Sequence, residues 1–209
     1  MRKLPLVVLT LLLSTPAFAA TSATAPVGEP SFPLPLEGGH TGEFVGGLGF
    51  GGFTSRLNDL SDVGVSWNFR GGYNFSRYVG AELNYQGTNS DVSDRALFAG
   101  ALSGTALTGQ LITADLKVGF PIPIGRSGAL RPYGVAGAGY GHIGVSTNII
   151  TAFPLPDEDA GAFPFAVGLS YDFTPGFVLD ARYTYNVLTE SAGNTWNMGF
   201  NLGARFGAR

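Results

Sequence analysis

With two histidines and no cysteine in 209 residues, the chain offers few groups for nucleophilic, acid–base or metal chemistry. His40 stands in a proline-rich stretch. His142 is the histidine set within a strand-like pattern, and Ser146 follows on the same face. A serine and a histidine facing lipid could act as a hydrolase, the imidazole taking the hydroxyl proton. The alternation of this stretch instead sends His142 to the polar, inner face. No nucleophile elbow and no orienting third group accompany it, so the expectation is a hydrogen-bonded structural histidine and no catalytic residue. Asp157-Glu158-Asp159 carries oxygen ligands suited to a divalent cation, but its spacing matches no calcium loop. It is expected to be a solvated acidic loop. No metal and no cofactor are expected, and the lack of cysteine removes thiolate sites and disulfides.

The remaining charges fall into a pattern that needs explaining. Only 13% of the residues are charged and 32 are glycine, an odd balance for a soluble protein. Nine charges sit at alternate positions among small polar residues: Glu43, Arg70, Glu82, Asp115, Lys117, Asp172, Asp180, Arg182 and Arg205. The intervening positions are bulky, apolar and uncharged. This is a period of two, the mark of strands with two unlike faces.

Eight such stretches run through the chain: Glu43–Phe53, Val63–Phe75, Val79–Gly87, Leu107–Phe120, Leu130–Ser146, Phe163–Phe173, Phe177–Val187 and Asn194–Phe206. The last is the clearest, with Trp196, Met198, Phe200, Leu202, Ala204 and Phe206 against Asn197, Gly199, Asn201, Gly203 and Arg205. Its length suits a tilted membrane-spanning strand of roughly 9–11 residues. The fifth is glycine-rich; Tyr133, Val135, Ile143 and Val145 share one face, and Ala136, Ala138, Tyr140, His142 and Ser146 take the other.

A lipocalin-like barrel would keep its bulky face inside. Eight strands enclose just enough room for side chains, and not for that many Phe, Tyr, Trp and Leu. The bulky face must therefore meet lipid, and the nine charges, five negative and four positive, face inward and nearly cancel. Backbone groups in lipid are satisfied only by closure. The fold class expected is all-β: an eight-stranded antiparallel up-and-down transmembrane β-barrel.

Two aromatic girdles are expected at the interfaces. Phe75, Phe120, Tyr133, Phe173, Phe177 and Phe206 would form one at the short-turn end. Trp67, Tyr85, Tyr185 and Trp196, with Phe165, would form the other. Ser76–Tyr78 and Thr174–Gly176 are tight, odd-length turns, set by the parity of the flanking residues. With the first as a three-residue turn, Arg70 faces Asn84 and Gly72 faces Glu82, so Arg70 and Glu82 are expected to pair diagonally. Asp172, Asp180, Arg182 and Arg205 are expected to form a second cluster.

Residues 1–20 read as a secretory signal, with Arg2 and Lys3, the apolar Leu4–Leu13 and Ala17-Phe18-Ala19 as a small-x-small cleavage site. Residues 21–40 read as a Pro-rich periplasmic linker, and 41–209 as the barrel. The formal charge of -3 falls to about -5 once Arg2 and Lys3 are removed, so no nucleic-acid partner is expected.

These features resemble the small eight-stranded outer-membrane barrels of Gram-negative bacteria, the group of the OmpA transmembrane domain, OmpX and the opacity proteins. Arg131-Pro132-Tyr133-Gly134, followed by Gly137-Ala138-Gly139-Tyr140-Gly141, is similar to the group's fifth strand, and Asp180-Ala181-Arg182-Tyr183-Thr184-Tyr185 to its seventh. Asn201, Gly203 and Phe206 match the closing-strand pattern, whereas Ala208 stands where the group has a final aromatic.

The resemblance implies an outer-membrane location. The leading expectation is a non-enzymatic, monomeric envelope protein in contact with outer-membrane lipid. It would meet an extracellular partner through the loops at 88–106 and 147–162, which hold the apolar runs Ala96–Leu102 and Ile149–Leu155. A narrow channel or carrier for small or apolar solutes is the alternative, and a lipid-acting enzyme the third reading.

Overall fold

The computed structural model describes residues 40–55, 63–91, 105–124, 128–147, 158–173, 176–189 and 193–207. Within them lie β1 (Thr41–Ser55), β2 (Gly64–Asn74), β3 (Val79–Asp91), β4 (Thr105–Gly119), a short β5 (Ile122–Ile124), β6 (Gly128–Thr147), β7 (Glu158–Phe173), β8 (Phe177–Leu188) and β9 (Gly193–Gly207). The stretches expected as signal, linker and loop cores fall outside the described residues.

Every neighbouring pair of long strands is antiparallel. The β1–β9 and β4–β6 pairings close the sheet into a barrel of eight long strands, with β5 an added three-residue strand beside β6. Following the cross-strand partners from Thr41 through Asn74, Gly80, Lys117, Val135, Ala166, Thr184 and Asn197 returns to β1 at Gly51, a stagger of ten residues. This stagger tilts the strands and sets a narrow bore.

The alternation read from the sequence decides which side chains turn inward. Leu48, Phe50, Phe69, Leu83, Ile112, Phe165, Val167, Phe200 and Leu202 are each more than half exposed on the outer wall. Ser66, Asn68, Arg70, Asn84, Asp115, Thr184 and Asn197 are buried in the lumen. Apolar outside and polar inside is stable only where the outer solvent is hydrocarbon. Between the girdles no outward-facing described residue is charged.

Both tight turns hold the expected parity. Arg70 faces Asn84 and Gly72 faces Glu82 across the first. Ser76 Oγ there accepts from the backbone N–H groups of Tyr78 and Val79 at 3.2 and 3.1 Å. At the second, Phe173 faces Phe177, and Gly176 takes φ 93°, a conformation without penalty only for glycine. The strands run further than the sequence pattern suggested at the opposite end. β3 reaches Asp91, β4 starts at Thr105 and β7 starts at Glu158, so parts of the stretches 88–106 and 147–162 are ladder rather than loop.

Candidate functional site

Two groups of polar side chains stand out, one inside the barrel and one on its outer wall. Inside, the lower lumen (the short-turn end) holds a cluster built from five strands. Lys117 Nζ on β4 donates to Glu43 Oε1 on β1 at 2.8 Å. Arg205 on β9 bridges Glu43 and Asp172, and Arg131 Nη2 on β6 lies 3.6 Å from Asp172 Oδ2. Above it, Arg70 on β2 pairs with Asp180 on β8, and Arg182 on β8 pairs with Glu82 on β3 and, at 3.4 Å, with Asp115 on β4. Asn201 Nδ2 donates to Asp180 Oδ1 at 2.8 Å and Asn68 Nδ2 donates to Asn201 Oδ1 at 2.8 Å.

The expected lumen residues are thus all inside, but in different partnerships. Arg70 does not take Glu82, its diagonal neighbour; it crosses the bore to Asp180, and Arg182 crosses the other way to Glu82. The bore is so narrow that opposite walls lie within one arginine's length. The cluster expected from Asp172, Asp180, Arg182 and Arg205 is therefore split between two levels.

β6 corrects two expectations. Tyr133, expected in the lipid-facing girdle, is 5% exposed and points inward. Its Oη donates to Asp180 and accepts from Arg70 Nη1 at 3.3 Å, and Lys117 Nζ stands 4.7 Å from its ring centroid. His142, expected inside, points outward. The cause is Arg131: a guanidinium cannot face hydrocarbon, and Tyr133 shares its parity. Arg131 was missing from the expected interior charges. With it, the buried lumen carries five cations and five anions among the described residues. The other girdle residues, Trp67, Phe75, Tyr85, Phe120, Phe173, Phe177, Tyr185, Trp196 and Phe206, lie on the outer wall.

The charged levels are followed by uncharged ones. Asn68, Arg70, Asn84, Gln86, Arg182, Thr184 and Asn197 close on one another and leave no cavity large enough for a water molecule between them. Nearer the long-loop end, Phe53, Leu107, Leu111, Ile143, Ala160, Ala162 and Leu188 pack into an apolar layer across the lumen. The bore is thus crossed by ion pairs below and by hydrocarbon above.

On the outer wall, His142 on β6 lies opposite Asp159 on β7 and Gln110 on β4. His142 Nδ1 donates to Asp159 Oδ1 at 2.8 Å, and the Tyr140 hydroxyl donates to the same oxygen. These bonds, Tyr140's first, hold the Asp159 carboxyl below the usual carboxylate range. Both side chains are open, 42% exposed for His142 and 66% for Asp159. The triplet expected to be a plain acidic loop therefore places two members, Glu158 and Asp159, in a strand. Among the described residues no group of three or more His, Cys, Asp or Glu is arranged to hold a metal ion.

Solved structures share this architecture. The chain is similar to the attachment invasion locus protein Ail of Yersinia pestis, solved in complex with the heparin analogue sucrose octasulfate. Identity is 19%, over 80% of this chain and 99% of that one, with a TM-score of 0.55. It is similar to neisserial surface protein A (18% identity, 80% and 96% covered, TM-score 0.53). It is also similar to the outer membrane protein OprG from Pseudomonas aeruginosa (17%, 83% and 100%, TM-score 0.56). No curated protein matches the chain in sequence. The family described as outer membrane protein beta-barrel domain matches residues 6–206. With its lipid-facing wall, closed sheet and aromatic girdles, this chain is a protein of the bacterial outer membrane and belongs to the outer membrane protein beta-barrel domain family.

Proposed function

We propose that the chain is a non-enzymatic outer-membrane protein that acts through its outer wall and its long-loop end, with a lumen shut to solutes. The observation that carries this reading is the double obstruction of the bore. Five cations and five anions fill two successive levels of the lumen, and an apolar layer lies across it above them. A charge-paired, filled interior stiffens a barrel and leaves no path for ions.

Planar-bilayer recording on the folded protein tests it. The expected result is no stepwise conductance. A narrow solute path is the second reading, favoured by Asn84 Oδ1, Gln86 Nε2, Thr88 Oγ1, Ser90 Oγ and Asn186 Oδ1, buried groups with unused hydrogen-bonding capacity. Unitary conductance steps in the unmodified protein would install it in first place.

A further inference from the structure

We infer that Tyr140, His142, Asp159 and Gln110 form a saccharide-binding site on the outer wall of the barrel, placed to take the sugar headgroup of an outer-leaflet glycolipid. The inference rests on the surface-acting reading above and names the ligand class for one part of that surface.

Position is the first support. Tyr140 is an outward aromatic, 48% exposed, on the long-loop half of β6, and Phe163 is an outward aromatic on β7, two residues from Gly161, the partner of Tyr140. His142 lies two residues beyond Tyr140 toward the long-loop end, and Asp159 lies four beyond Phe163. The pair thus leaves the hydrocarbon and stands at headgroup depth. Facing outward, it is reached by a lipid-anchored group without entering the lumen.

Chemistry is the second. Asp159 accepts on Oδ1 from both Tyr140 and His142, so the side chain is fixed, and Oδ2 has no hydrogen-bond donor among the described residues. With Nδ1 engaged by Asp159, Nε2 is the second hydrogen-bonding atom of the exposed His142 ring. Gln110, exposed directly across β4, adds one donor group and one acceptor. A pinned carboxylate, an oriented imidazole and an amide beside an exposed tyrosine ring suit sugar hydroxyls, which both give and take hydrogen bonds, and sugar C–H faces. The Asp159 charge disfavours contact through phosphate, so the hydroxyls of a glycolipid's sugars rather than its phosphates are the groups held here. One carboxylate and one imidazole fall short of a cation cage.

The two histidines make the test direct. In a His40→Asn background, His142 is the single imidazole and its ring signals can be followed by NMR in nanodiscs. Phosphatidylcholine discs would be compared with discs containing rough lipopolysaccharide, with phosphatidylglycerol discs, and with phosphatidylcholine discs given free core oligosaccharide. Ring shifts with lipopolysaccharide but not phosphatidylglycerol are expected. Asp159→Asn and Gln110→Ala should each weaken retention of lipopolysaccharide roughly two- to tenfold, as for one lost hydrogen bond. Heat-modifiable gel migration would verify that each variant folds. Shifts with free oligosaccharide as well would keep the site and make a soluble saccharide its source. Equal shifts with phosphatidylglycerol, or none with any probe, would overturn the inference. Conductance is indifferent to these outcomes, so a failure here and a failure of the closed-barrel reading are separately visible.

Discussion

At the scale of single residues, Tyr133 shows how one hydroxyl can fix the direction of a strand. It joins Arg70 and Asp180 at the centre of the lumen, so Tyr133→Phe leaves the Asp180 carboxylate short of a donor while preserving the ring. Loss of a buried partner costs about 1–3 kcal/mol, whereas the same change on a lipid-facing girdle would be close to neutral. Urea unfolding in micelles measures the difference. Asp159 gives a second expectation. Its folded pKa is depressed by Tyr140 and His142, so the cluster's contribution is present above the ordinary Asp value of about 3.9 and is lost only as pH falls through the lower folded value. The carboxyl 13C signal of Asp159 should titrate below that ordinary value in the native protein. Tyr140→Phe, which removes the larger of the two causes, should move it back up. Neither residue's place was legible from its own type. Tyrosine suits a girdle and histidine suits an interior, and only the parity of Arg131 overrules both.

At the scale of elements, β9 and β2 were legible because apolar and polar residues alternate along them, broken in β2 only at Gly71-Gly72, and the register across Ser76–Tyr78 followed from parity alone. β6 was not, because its outward Gly134, Ala136 and Ala138 face inward Gly137, Gly139 and Gly141, so neither side is more apolar than the other. Those inward glycines are required by close approach: a Cβ on Gly139 would stand 2.0 Å from the Ile112 carbonyl oxygen. The start of β7 was missed because Asp-Glu-Asp has the composition of a loop. β9 supplies the test of face assignment. Phe200→Arg places a cation on the lipid side at about 2–4 kcal/mol. Asn201→Ala faces inward and removes a donor to Asp180 and an acceptor for Asn68, about 1–3 kcal/mol. Refolding yield in lipid vesicles should fall further for Phe200→Arg; the reverse order would contradict the inward placement of Asn201.

For the whole molecule, the bore works as two seals in series, and ion-pair partners were illegible because they are chosen across the lumen rather than along the sheet. Arg70 and Asp180 sit on β2 and β8, so their double-mutant cycle should show coupling of about 0.5–3 kcal/mol, larger than that of the diagonal neighbours Arg70 and Glu82. Removing the pair strips part of the lower seal, but the apolar layer of Phe53, Leu107, Leu111, Ile143 and Leu188 still crosses the path. Hydrocarbon constrictions block ions by excluding water, so a loosened lower half stays silent behind an intact upper one. Arg70→Ala with Asp180→Ala should therefore lower stability without conductance. Phe53→Ala with Leu111→Ala should likewise lower stability, by about 2–5 kcal/mol per core truncation, and leave the ion pairs to block the path. Unitary steps in a planar bilayer need both layers cut, and with the Glu43, Lys117, Arg131, Asp172 and Arg205 level still in place the four substitutions together are the least that should give them. Steps from either pair alone would mean that a single layer seals the barrel, and the silent pair would identify the layer that does not.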